Sequence, residues 1–313
     1  MPPPTEHSFE TGYHAPVLVA EVLGALEHAS AVLDCTLGGG GHSQALLEAG
    51  ATVTGIDWDG EAIAEADKRL GSYVVSGRFR IIRGDFTRVD GIAELRGESF
   101  DGILADLGVS SAQINQDERG FSFRPGVPLD MRMSATGDTA ADLLNTASLD
   151  DLSVLFRDYG DEPRARRLAG EIVRRRGNRS FESADDLVGA IRGAFGASAG
   201  PSDFARLFQA VRIVVNDELH GLERVLPVLR DMLRPGGVMS IIAYHSGEDR
   251  LVKHAMRAWS TACICPPRQP VCACGGVAAG SLVTRKSITP SAAEIAANPR
   301  GRSAHLRSWR RAS

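Results

Sequence analysis

No apolar run in this sequence approaches the roughly 20 residues that a membrane-crossing helix needs. The opening "MPPPTEHSFE" lacks the basic-then-apolar order of a secretory signal. Both absences lead to the expectation of a cytoplasmic protein. An excess of positive charge is missing too: 35 Lys and Arg stand against 39 Asp and Glu, a formal balance of −4. That argues against indiscriminate coating of nucleic acid. Internal repeats are absent, which argues against a solenoid. Cysteine is scarce: there are five, and only Cys35 stands apart from the cluster "CICPPRQPVCAC".

What is present suits a soluble globular chain. Hydrophobic residues make up 43% and charged residues 24%, enough for a sizeable core. A length of 313 residues fits two modest domains, or one domain with a large insertion. "AVLDCTLG" reads as a buried strand ending at Asp34, and "HSQALLEAG" as a helix closed by Gly50. "ATVTGIDWD" is a second strand, with Asp57 near its end, and "EAIAEADKRL" a second helix. "RFRIIRGDF" and "SFDGILADLG" are further strands, ending at Asp85–Phe86 and at Asp106. Such alternation predicts a parallel, doubly wound sheet with helices on both faces. Ligands of such sheets bind beyond the carboxyl ends of the strands, where all four acids fall. Any one of them alone is equally a helix cap or turn former.

The rhythm stops between Ser110 and about Pro201. Turn-rich stretches alternate there with helical patterns such as "EPRARRLAGEIVRRR", in which Ala165, Leu168, Ala169 and Ile172 form one apolar stripe. A long helix follows from Phe204 towards Leu233, with Pro227 as its expected break, and "GVMSIIAYHS" resumes the sheet. The expected organisation is therefore a core of residues 1–110 and 205–313, interrupted by an inserted helical domain of residues 111–204. Charge is unevenly spread. Arg157 to Arg179 holds eight arginines against four acids, and Arg285 to the end holds six Arg and one Lys against Glu294. Two basic segments on an acidic body suit a localised polyanion contact, or are simply solvated helix faces.

The stretch "LDCTLGGGGHS" poses the question of the ligand. A phosphate-binding loop needs Gly-Lys-Ser/Thr, but here His42 and Ser43 follow the glycines. The G-x-G-x-x-G/A spacing of dinucleotide sites is poorly matched, since the sixth position from Gly38 is Ser43. An acid before the glycines would repel a pyrophosphate and suits an ammonium group. S-adenosylmethionine meets these constraints. Asp34 and the glycine backbone can take its methionine end, Asp57 its ribose hydroxyls, and Phe86 a face of its adenine. A nicotinamide enzyme is the structural rival, because it also uses an acid at the position of Asp57.

The stretches "DCTLGGGGHS", "GIDWD", "DGILADLGVSSAQ", "ERGFSF", "PLDMRM", "YGDEPRARRLA", "FQAVRIVVNDEL", "PGGVMSII", "YHSGEDRLVK" and "NPRGRSAHLR" together resemble the bacterial 16S ribosomal RNA cytosine-N4 methyltransferase family. The resemblance runs from "YHAPVL" nearly to the end. It implies a class I methyltransferase with a Rossmann-like parallel sheet and an inserted helical domain. It also implies methylation of a cytosine amino group in the decoding region of 16S rRNA in the small subunit. The S-adenosylmethionine site it implies comprises Gly40, Gly41, His42, Asp57, Phe86, Asp106 and Gln113. It gives no role to the clustered thiols.

At the end of the fourth strand many amino-methyltransferases carry an acid or amide, two prolines and an aromatic. "ADLGVSS" keeps only the acid, Asp106, which is the expected acceptor for the amine hydrogens. His245 is the second catalytic candidate, as a proton acceptor or phosphate contact; otherwise it is a turn residue satisfied by Asp249. Tyr244 is a candidate for stacking on a base. Arg164, Arg166, Arg167, Arg174, Arg175 and Arg176 are the candidate RNA-gripping surface. "RGFSF", Arg119 to Phe123, is an entrance element or ordinary core packing. The clustering of Cys263, Cys265, Cys272 and Cys274 suggests metal before a disulfide. Cys-x-Cys is tighter than the usual Cys-x-x-Cys knuckle, so the expectation is no metal and reduced thiols in a proline-rich loop, with zinc as the alternative. An amino-methyltransferase acting on DNA or a small molecule remains open on the residues alone. So does a ribosome assembly factor with a vestigial cofactor site, and so does the choice between monomer and homodimer.

Overall fold

The computed structural model describes residues 16–134, 136–263, 265 and 274–313. Cys272 lies outside them. The elements run α1 (Val19–Ala25), β1 (Ala31–Asp34), α2 (Gly41–Glu48), β2 (Thr52–Asp57), α3 (Gly60–Val75), β3 (Phe79–Arg83) and β4 (Phe100–Asp106). Then come α4 (Ser111–Asn115), α5 (Ala140–Thr146), α6 (Leu149–Asp158), α7 (Ala165–Arg176), α8 (Ala184–Phe195), α9 (Pro201–Val215) and α10 (Glu218–Met232). The chain closes with β5 (Leu233–Ala243), α11 (Ser246–Trp259), β6 (Gly280–Leu282), α12 (Ala292–Ala297) and β7 (His305–Arg311). No helix among the described residues is long and apolar enough to cross a membrane.

The chain divides into two compact units: residues 1–108 with 219–313, and residues 109–218. The first is built on a seven-stranded sheet of order β3-β2-β1-β4-β5-β7-β6. β1 to β5 are parallel, as the βα rhythm demands. β7 runs antiparallel to β5, and β6 antiparallel to β7. Buried apolar strand residues, such as Leu33, Ile56, Ile103 and Met239, pack beneath α10 and α11. Val32, Val53 and Leu104 pack on the other face with α1, α2 and α3 residues. Covering on both faces explains why these strands read as continuous apolar runs.

The second unit is helical. The stripe of α7 is buried as expected, with Leu168, Ala169 and Ile172 fully inaccessible. α8 starts at a cap in which the Asp186 carboxylate accepts from Ser183 N at 2.9 Å. Glu162, almost fully buried, accepts from Arg206 Nη2 at 2.7 Å and from Arg164 N at 2.9 Å, which ties the α6–α7 turn to α9.

Two expectations need correction. The long helix breaks at Asn216–Asp217, not at Pro227, which sits inside α10. Asp217 has φ of +51°, and the Asn216 amide is drawn away to Met131 O and Met133 N. The inserted unit also extends past residue 204. Phe204, Leu207, Phe208 and Val211 of α9 fill its core, so the boundary falls at Glu218.

Candidate active site

Strand order reverses between β1 and β4, and a doubly wound sheet opens a crevice at such a point. Three carboxylates mark it: Asp34 ends β1, Asp57 ends β2 and Asp106 ends β4. The two halves are stitched together there, since Asp106 N donates to Thr36 Oγ1 at 2.6 Å.

Between β1 and α2 the chain makes a glycine turn. Gly40 sits at φ of +79°, and a Cβ on it would lie 2.9 Å from Leu70 Cδ1 of α3. A Cβ on Gly41 would lie 2.9 Å from Pro16 Cγ. These glycines therefore meet packing demands, in a turn whose residues Gly39 to Ser43 are all buried. Asp57 holds the turn from the neighbouring strand: Oδ2 accepts from Gly38 N at 2.8 Å, and Oδ1 from Asp59 N at 2.9 Å. Burial raises its carboxyl to about 6, against these two hydrogen bonds. Each oxygen retains a lone pair, the requirement for taking two adjacent hydroxyls.

Asp34 is held within the loop. Its carboxylate is 1% exposed; Ser43 Oγ donates to Oδ2 at 2.7 Å and Thr36 N to Oδ1 at 3.2 Å. Burial raises its pKa, Ser43 opposing. These bonds fasten the carboxylate to the loop that follows β1.

Asp106 is the centre of a second group. Tyr244 donates its hydroxyl to Asp106 Oδ1 at 2.9 Å, and His42 Nε2 stands 3.4 Å from Oδ2. Burial, then the Asp106 charge, pushes the Tyr244 phenol well above its ordinary value, so it remains a donor. His42 is buried in the first turn of α2, and its Nδ1 finds no hydrogen-bond partner among the described residues. A buried orphan nitrogen beside the glycine turn and a carboxylate marks a place for a polar ligand.

The Tyr244 ring is partly buried against the core that holds Val32 and Leu104, and its hydroxyl bonds to Asp106. His245 caps α11, with Nδ1 accepting from Glu248 N at 3.4 Å. Its neighbour is Glu248, not Asp249, which is engaged by Arg307 at 2.7 Å. Phe86 opens a short 3-10 turn capped by Asp85 and is half-buried against the core. Gln113 belongs to the second unit, where its Oε1 accepts from Ser110 N at 2.9 Å.

The six arginines have separate fates. Arg174 and Arg175 share Glu171, both at 2.7 Å, and hold its carboxyl down to about 2. Arg176 Nη1 donates to Leu144 O and Ala147 O, a structural use. Arg164 lies 4.0 Å over the Phe195 ring. Arg166 makes an exposed pair with Asp150, and Arg167 is exposed. Phe123 packs edge-on against Phe204 and Phe208, and Phe121 lies against the same core. Sequence reasoning misses Thr36, Ser43 and Glu248. Glu248 is buried and accepts from Tyr244 N at 2.8 Å. Ser43 and Glu248 each occupy the first turn of a helix that follows a strand, which is their only local signal.

A reversed-order α/β sheet with carboxylates at its switch point is Rossmann-like, and the family match makes it a class I methyltransferase. The model of the MraW methylase family matches residues 11–312, and the chain belongs to that family. Ribosomal RNA small subunit methyltransferase H of Gemmatimonas aurantiaca is 57% identical over 301 residues, covering 96% of each chain. The protein of that name from Myxococcus xanthus is 45% identical over 300 residues, covering 94% of this chain and 96% of its own. That of Geobacter sp. (strain M21) is also 45% identical, over 308 residues, with 95% and 98% covered.

Proposed function

We propose that this protein transfers a methyl group from S-adenosylmethionine to N4 of a cytosine in the decoding region of 16S rRNA, in the small subunit and in the cytoplasm. The observation that carries this reading is Asp106, held at the switch point by Tyr244 and by Thr36 through its backbone. It sits in a chain whose relatives are named as small-subunit rRNA methyltransferases. When bound, the cofactor supplies a methyl group made electrophilic by its sulfonium. Gly40 and Gly41 of the glycine turn, with His42, Asp57 and Phe86, are the residues of the first unit that would hold it.

The amine of cytosine is a weak nucleophile because its lone pair is delocalised into the ring. An acceptor for its hydrogens lets the nitrogen turn pyramidal and aim that lone pair at the methyl carbon. Asp106 suits this role. Tyr244 holds Oδ1, which fixes the carboxylate plane and leaves Oδ2 on the side of His42. Alignment of the two reactants supplies much of the rate. The base must be unpaired or turned out before its amine can be reached. The second unit, with exposed Arg166 and Arg167, is the proposed RNA-gripping surface.

Incubation with methyl-labelled cofactor and either small subunits or naked rRNA tests the proposal, followed by digestion to nucleosides. Label is expected in N4-methylated cytidine. Label in another nucleoside, or none in RNA, overturns it.

A further inference from the structure

The thiols between α11 and β6 take no part in the chemistry above. The Sγ atoms of Cys263, Cys265 and Cys274 all lie within 4.8 Å of one another. Cys263 and Cys274 are 3.9 Å apart, far beyond the roughly 2.05 Å of a sulfur–sulfur bond. Tetrahedral zinc, with Zn–S about 2.3 Å, sets neighbouring sulfurs about 3.8 Å apart.

The backbone is shaped to bring them there. Gly275 turns at φ of +58°, and a Cβ on Gly276 would run into Ala262 O. Segment 274–276 therefore lies directly on the backbone before Cys263, an approach that only glycine permits. This contact carries Cys274 onto Cys263. Three sulfurs so close repel one another as thiolates and are weak hydrogen-bonding groups as thiols. A soft divalent cation removes the repulsion, and an all-sulfur donor set selects zinc over magnesium or calcium.

We infer that Cys263, Cys265 and Cys274 bind a structural zinc ion that closes the connection between α11 and β6. Each thiol gives its proton to solvent as its sulfur–zinc bond forms, so zinc uptake falls in acid. The ion is separate from the methyl-transfer residues, so the inference stands or falls independently of the proposed reaction.

Metal analysis of the full chain tests it, after production with zinc supplied and purification under reducing conditions without chelator. About one zinc per chain is expected. Replacement by cobalt should give thiolate-to-metal charge-transfer bands and the visible bands of a tetrahedral ion. Cys263→Ser and Cys274→Ser should each lower bound zinc by about tenfold or more, while Cys35→Ala leaves it unchanged. The cobalt spectrum is read on the unaltered protein, so it decides the matter even where a variant fails to fold. Zinc below about a tenth of an equivalent, with no charge-transfer band, overturns the assignment. So does a Cys263–Cys274 disulfide trapped by alkylation at lysis.

Discussion

Asp57 has a carboxyl raised to about 6 by burial, so a folded chain at pH 5 carries it mostly neutral. Ribose hydroxyls donate hydrogen bonds and therefore favour the ionised form. The sign follows: below about pH 6 the group must lose a proton before the ligand is held, and above it no such cost remains. Cofactor affinity should rise with pH through this region and level off by neutrality. Titration calorimetry across pH 5 to 8 reads it, with the roughly tenfold-per-unit slope of one linked proton as the upper bound. Asp57→Ala should lower affinity about a hundredfold and flatten the profile. A profile that keeps its slope in the variant would move the linked proton elsewhere. Tyr244→Phe is the matching change at Asp106. The ring stays in the core, but the buried Asp106 carboxylate loses a donor, so stability should fall by about 1–3 kcal/mol. With Oδ1 released, kcat should fall about tenfold while the KM for cofactor holds. Equal losses in both constants would make Tyr244 a general structural support instead.

Elements show where the sequence was legible. The first four strands and their acids could be read because burial on both faces leaves long apolar runs that end abruptly at the ligand side. The partnering of Asp34 could not be read, because nothing local says that Ser43 will turn back beneath it at 2.7 Å. β7 was hidden for a different reason. "HLRSWRR" reads as part of a basic tail, yet Trp309 is fully buried and its arginines are used internally. Arg307 pairs with Asp249, and Arg310 and Arg311 donate to the carbonyls of Gly236 and Asp231. Charge pattern alone does not distinguish a solvated arginine from one that fastens a strand. The glycine turn gives a test at this scale. Gly40→Ala adds a methyl 2.9 Å from Leu70 Cδ1, in a left-handed conformation. It should destabilise by about 1–3 kcal/mol. Thermal unfolding should show a Tm lowered by several degrees; an unchanged Tm would mean that α3 yields without strain.

A molecule of net charge −4 would meet a polyanion through local patches, and the six arginines proposed for that purpose divide by their surroundings among the described residues. Arg174 to Arg176 form a run of three within the candidate surface that the sequence offers. In the fold, two of these arginines answer Glu171 and the third closes two carbonyls near the end of α5. Arg166 and Arg167 keep their heads in water, and an exposed pair such as Arg166–Asp150 is weak enough to be exchanged for phosphate. The two kinds of arginine predict opposite signatures. Arg166→Ala and Arg167→Ala should each lower the slope of log affinity for rRNA against log salt by about one, with thermal stability nearly unchanged. Arg176→Ala should leave that slope alone and cost about 1–3 kcal/mol, because it strips donors from Leu144 O and Ala147 O. Binding measured over a salt series, beside thermal melts of the same variants, separates the two. If Arg176→Ala flattens the salt slope and leaves stability intact, the sequence pattern was the better guide to the RNA surface and its carbonyl contacts are incidental.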